Sequence, residues 1–311
     1  MSSLKEIKKR INSIKSTRKT TSAMKMVSSA KLHKAEKELS NLLPYSKMLS
    51  HYLESMSFNL DTQQKNGNCT TYDKKKPSLR GYSPSNDNLL IHERQINNVA
   101  IIAFASDSSL CGAFNANVSR KLQRTIEIYK KTIDISHIFV YTIGKKIYES
   151  IRKTGIPIAK NFENMAGKAD YKAIAHFAAS LIAQYETNKV DRIELIYHHY
   201  KSAGSQELVT LPLLPFIQPT PTKPTTTSID YIIEPSRENV RASLIPAIIK
   251  TKLYAAMLHS NTSEHAARMI AMQTATDNAD DLVSELTIEY NKSRQQAITN
   301  ELLDLIGGSA K

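Results

Sequence analysis

Residues Ser263 to Gly308 read SEHAARMIAMQTATDNADDLVSELTIEYNKSRQQAITNELLDLIGG, and their spacing decides the architecture of the chain. Met269, Met272, Thr276, Ala279, Val283, Leu286, Tyr290, Ser293 and Ala297 advance by strict steps of three and four, the seven-residue repeat of a coiled-coil seam. Most of these seam residues are small or only moderately apolar. A helix running from about Asn239 to Ile306 would rise ~1.5 Å per residue and extend about 100 Å, which requires a second helix to cover its stripe.

The only other long candidate is the N-terminus. Ile7, Ile11 and Ile14 open an apolar stripe, and Leu32, Ala35, Leu39 and Leu42 resume it. Between them, STRKTTSAMKMVSSAK offers mainly hydroxyls, cations and small apolar residues, and Pro44 either kinks or ends the helix. No glycine occurs before Gly67. The expected arrangement pairs the two terminal helices as an antiparallel coiled coil. Ser, Thr, Ala and Met in both stripes permit close approach but bury little apolar area, so surrounding partner protein is expected.

Between the helices the pattern changes twice. Residues 59–97 carry Gly67, Pro77, Gly81 and Pro84 among polar residues and read as a loop or insertion. From residue 98 short β-rich runs alternate with helical ones. Val99–Ala105, His137–Thr142 and Arg192–Tyr200 are predicted strands, with Leu208–Ile217 as a further candidate; Phe114–Lys131, Lys145–Thr154 and Tyr171–Thr187 are predicted helices. The fold class is therefore α/β with a mainly parallel sheet. The expected divisions are 1–58 for the N-terminal helix, 59–97 for the polar insertion, 98–235 for the α/β domain and 236–311 for the C-terminal helix.

The 311 residues carry 42 Lys plus Arg against 29 Asp plus Glu, a net charge of +13, and its distribution is uneven. Residues 1–37 hold nine Lys and two Arg against Glu6 and Glu36, so +9 sits on the first helix. A solvated face, a nucleic-acid arm and a transit peptide each fit a basic stretch. The first would carry more acids at i, i+4 spacing, and the second lacks aromatics for base stacking before Tyr45. The longest apolar run, Val99–Ala105, is far below the ~20 residues of a membrane helix. Cys69 and Cys111 form no metal-ligand spacing or disulfide framework.

The C-terminal segment quoted above resembles the C-terminal signature of the gamma subunit of rotary ATP synthases almost throughout. LKEIKKRINSIKSTRKTTSAMKMVSSAKLHKA, from Leu4, is similar to that family's opening helix; ASDSSLCGAFNANV, from Ala105, resembles its Asp-x-Gly-Leu-Cys-Gly loop; and YIIEPSRENV, from Tyr231, resembles the approach to its final helix. The resemblance implies a non-catalytic rotor shaft that couples proton flow to ATP synthesis or hydrolysis, without cofactor or metal. Its implied partners are the alpha and beta subunits of the catalytic ring, epsilon and the membrane c-ring. The implied location is peripheral, on the cytoplasmic face of a bacterial inner membrane, without direct membrane insertion or nucleic acid. The family signature starts within the first few residues, which argues against a presequence. It also supplies a fourth reading of the basic helix, a charged shaft turning against an acidic loop of beta. A basic helical adaptor binding nucleic acid or anionic membrane is the alternative.

Residue by residue, the resemblance puts Met24 and the adjacent Lys25 opposite that acidic loop, although Met24 also suits a coiled-coil gap. Arg294, Gln295 and Thr299 match positions that hydrogen-bond a loop of one beta subunit. The i, i+4 spacing of 295 and 299, with 294 adjacent, lets the three share an outward face. Tyr231 and Glu234 fall in the foot that meets epsilon and the c-ring. Ser108 and Ser109 replace the family loop's usual Arg-Gly pair, so a contact through that arginine is not expected. No serine elbow or Walker loop is present, and His198 and His199, adjacent on a strand, should point to opposite faces.

Overall fold

The computed structural model describes residues 4–64, 90–91, 94–163, 165–167, 169–216, 233–234 and 236–308. The chain divides into two compact units, one of Met1–His33, Leu110–Gly112 and His265–Lys311, the other of Lys34–Ser109 and Ala113–Glu264. In chain order the elements are α1 (Leu4–Gln64), β1 (Val99–Phe104), α2 (Phe114–Tyr129), β2 (Ile138–Ile143), α3 (Lys145–Arg152), β3 (Ile158–Phe162), α4 (Tyr171–Glu186), β4 (Arg192–Ser202), β5 (Ser205–Leu214) and α5 (Arg237–Gly308).

The second unit is built on a five-stranded sheet of order β3-β2-β1-β4-β5. β1 pairs parallel with β2 and β4, β2 pairs parallel with β3, and β4 pairs antiparallel with β5. VAIIAF of β1 is buried at every position, as a central strand covered on both faces requires. Its side chains alternate between two cores. Ala100, Ile102 and Phe104 join Leu49 and Leu53 of α1, Ile174, Phe177 and Leu181 of α4, and Ile245, Ile249 and Leu253 of α5. Val99, Ile101 and Ala103 join Val118, Leu122 and Ile126 of α2 with Ile147 and Ile151 of α3. The period of two therefore sorts one strand's residues onto two helical layers.

The turn from β2 into α3 is sterically fixed. Gly144 has φ +105°, and a Cβ there would lie 2.2 Å from the carbonyl oxygen of Ala105. Beside it, the Asp107 carboxylate accepts from the Lys145 amide at 3.0 Å, and the Ser106 carbonyl accepts from the Lys146 amide at 3.1 Å. Asp107 of the family-like loop thus satisfies the first turn of α3. β3, IAKNF, is an edge strand that sequence reading missed, because pairing with β2 alone leaves it half-shielded and without a clear apolar pattern. Pro44 neither ends nor interrupts α1, which runs on to Gln64. The proline is exposed, so the carbonyl it leaves unpaired faces water.

Candidate partner-binding surface

The first unit pairs the start of α1 with the end of α5. Thr21 and Thr276 share a hydrogen bond between their hydroxyls at 2.8 Å, and Arg18 pairs with Asp280 at 2.5 Å. Residue numbers rise along one helix as they fall along the other, so the pair is antiparallel. From residue 281 to 303 the only positions shielded from solvent are Val283, Leu286, Tyr290, Ser293 and Ala297, which are the heptad positions.

The α1 half of the seam is more regular than its apolar residues suggested. Leu4, Ile7, Ile11, Ile14, Arg18, Thr21, Lys25, Ser28, Leu32, Ala35 and Leu39 form one unbroken series of three- and four-residue steps, all shielded or half-shielded except Arg18. The stripe does not thin; it becomes polar. Thr21 and Ser28 are 9% and 3% exposed, and their hydroxyls donate to the carbonyls of Arg18 at 3.0 Å and Met24 at 2.8 Å. Hydrogen bonds back to the helix let hydroxyls occupy seam sites without leaving a buried polar group unmade.

Outside the seam, large apolar side chains remain exposed. On α1 these include Met26 and Val27; on α5 they include Ile288, Ile298, Leu302, Leu303 and Leu305. Ile298, Leu302 and Leu305 follow i, i+4, i+7 spacing, so they form a second apolar stripe beside the seam. Leu305 is 70% and Ile288 71% exposed, and it is the contiguity of the 298, 302 and 305 positions that marks an interaction surface. Cations are interleaved: Lys5, Lys8, Lys9, Lys15 and Lys19 are all exposed. The end of α5 partly answers them, since residues 265–308 carry seven acids against three Lys and Arg. His265 adds no charge near neutral pH. Desolvation, helped by Arg268 and Lys31, holds its pKa down at about 4.

Of the sequence-predicted contact residues, Met24 and Lys25 are half-shielded, with Lys25 on the seam series and Met24 beside it. Arg294, Gln295 and Thr299 are exposed on one stretch of α5. The Thr299 hydroxyl donates to the Gln295 carbonyl at 2.9 Å, so toward a partner it presents an acceptor oxygen. Arg294 and the Gln295 amide supply donors. Glu234 is exposed, whereas Tyr231 lies outside the described residues, as do Cys69 and most of 59–97. His198 stacks on Phe114 at 4.2 Å, and His199 packs at a tilt against His259 at 4.2 Å, so the adjacent histidines do face opposite sides of the sheet. Among the described residues, no three His, Cys, Asp or Glu side chains gather to hold a metal ion, and no helix is long and apolar enough to cross a membrane.

Comparison with known proteins gives a consistent result. A family model described as ATP synthase matches residues 3–310. An ATP synthase gamma chain of Bacteroides fragilis is 45% identical over 313 residues, covering 99% of each chain. One of Bacteroides thetaiotaomicron is 43% identical over 321 residues, again covering 99% of each. The rotor of Euglena gracilis mitochondrial ATP synthase superposes with a TM-score of 0.58 at 16% identity, covering 95% of this chain and 98% of that one, a likeness of fold.

Proposed function

The chain belongs to the ATP synthase gamma-chain family, and from that premise we propose that it turns as the central rotor shaft, coupling proton flow to ATP synthesis and hydrolysis. Catalysis on this reading takes place in the beta subunits, and the shaft's part is mechanical. The observation that carries it is the paired-helix surface of the first unit, where a seam of small and polar residues is flanked by exposed Ile288, Ile298, Leu302 and Leu305. Helices so poorly covered by each other are stabilised by enclosing protein, here a ring of alpha and beta subunits.

Within that ring, Arg294 and Gln295 donate to a loop of one beta subunit while Thr299 accepts, a three-point contact able to hold the loop in one state. Met24 and Lys25 face an acidic loop of beta. Tyr231 and Glu234 belong to the foot that meets epsilon and the c-ring. Attachment to the cytoplasmic face of the membrane then runs through those partners, since no described helix can span a bilayer. Expression with tagged alpha and beta tests this directly. Recovery of a complex that hydrolyses ATP is expected, and adding the membrane sector should couple that hydrolysis to proton pumping. Tight DNA binding at physiological salt with no recovery of alpha and beta would replace the rotor with the basic adaptor.

A further inference from the structure

β4 outruns its neighbour. The ladder between β1 and β4 ends at Ala103 and Ile196, whereas β4 and β5 continue together to Ser202 and Ser205. Past Ile196, β4 therefore has one edge paired with β5 and another that no residue of β1 reaches. Two side chains of α5 meet this stretch. The Ser263 hydroxyl donates to the His198 carbonyl at 3.2 Å, and Nδ1 of His259 accepts from the Tyr200 amide at 3.3 Å.

The pattern imitates a strand. Residues 198 and 200 are two apart, so their backbone groups lie on the same edge, and 259 and 263 are one helical turn apart on the same face. One supplies an acceptor and the other a donor, which are the two functions a neighbouring strand would supply. Ser263 is 0% and His259 7% exposed, so these bonds are made away from water, where losing one leaves a costly orphan. The tautomer is fixed as well: with Nδ1 accepting, the proton of neutral His259 sits on Nε2. His199 packs at a tilt against the same ring, and on the other long helix Glu36 accepts from the Tyr200 hydroxyl.

We propose that His259 and Ser263 act as a strand surrogate that locks α5 to the sheet, with Tyr200 and Glu36 locking α1 to the same ribbon, so that torque passes between the sheet and both long helices here. The proposal rests on the rotor reading for its function, but the lock itself is a property of the second unit. His259 and Ser263 are positioning residues.

The test compares His259→Phe, which removes the acceptor, with His259→Asn, which keeps an acceptor oxygen, and Ser263→Ala with Ser263→Thr, each in the complete complex in vesicles. Amide exchange at Tyr200 and protons pumped per ATP hydrolysed are both read. His259→Phe should speed exchange at Tyr200 about fivefold or more, the effect of one net hydrogen bond, and lower the pumping ratio while ATP hydrolysis continues; His259→Asn should restore both. Unchanged exchange in His259→Phe overturns the lock. Faster exchange with an unchanged pumping ratio overturns its torque-bearing role. If His259→Phe does not assemble, the Ser263 pair decides through the pumping ratio: a ratio lower in Ser263→Ala than in Ser263→Thr supports the lock, and equal, unchanged ratios overturn its torque-bearing role. If even the unmodified chain fails to join alpha and beta, the rotor reading fails, and exchange in the chain alone still judges the lock.

Discussion

Acidification from pH 7 to pH 5 should loosen the sheet-bearing unit before its carboxylates begin to titrate, because two histidines are folded in their neutral form. Burial depresses the pKa of both His198 and His259 to about 4, with His199 adding to the effect at His259; they are 5% and 7% exposed. In the unfolded chain each would titrate near ~6.5. Between these values the unfolded state binds protons that the folded state refuses. The stabilisation is thus fully present above pH 6.5 and is lost as pH falls toward 4. At pH 5 each site has lost about 2 kcal/mol relative to pH 7, or about 4 kcal/mol for the pair, a large fraction of a typical domain's stability. The assay is hydrogen exchange at the β1 amides, Val99–Phe104, which open only when the sheet does. After correction for intrinsic rates, their protection should fall by about that amount. In a variant carrying His198→Phe and His259→Asn the dependence should flatten. A loss below about 1 kcal/mol in the unmodified chain, or an equal pH slope in the double variant, would refute the assignment of neutral buried histidines.

Three further outcomes are expected. Gly144→Ala combines a forbidden φ with a Cβ 2.2 Å from the Ala105 carbonyl oxygen, and should cost about 3 kcal/mol or more in urea unfolding. Thr21→Val should weaken the helix pair by only about 0.5 kcal/mol or less, because the Thr276 hydroxyl still donates to the Met272 carbonyl at 2.8 Å and is not orphaned, as thermal melting of the assembled complex would show. Arg294→Ala should lower coupled ATP synthesis about tenfold, the effect of losing one charge-assisted hydrogen bond, without altering assembly; unchanged synthesis would remove the contact assigned to it.

The α/β order and the C-terminal heptads were legible because burial there is carried by apolar side chains with a clean period: β1 is apolar throughout, and Val283, Leu286 and Tyr290 mark the seam unaided. The N-terminal seam was half hidden. Thr21, Lys25 and Ser28 hold heptad positions with side chains that hydropathy assigns to solvent, and only their shielding in the folded chain restores the series. β3 was hidden for the opposite reason, since an edge strand buries too little to need a pattern. The continuation of α1 through Pro44 depends on where the proline points, which spacing does not encode. Of the candidate contacts, sequence could place Arg294, Gln295 and Thr299 on one face but not foresee that Thr299 spends its proton on its own helix. Nor does any motif announce His259 and Ser263, whose partners are backbone groups 59 and 65 residues away.

The polar character of the seam has a consequence for alignment. Bulky knobs in deep holes make each register of a coiled coil distinct, but threonine, serine and alanine fit one heptad along almost as well as in place. Such a pair lacks indexing over its middle. The Arg18–Asp280 bridge and the buried isoleucines Ile7 and Ile11 are therefore what tell the two helices where to stop sliding. With these few side chains damaged, the seating of α1 and α5 on the sheet would be left to hold the pair in step.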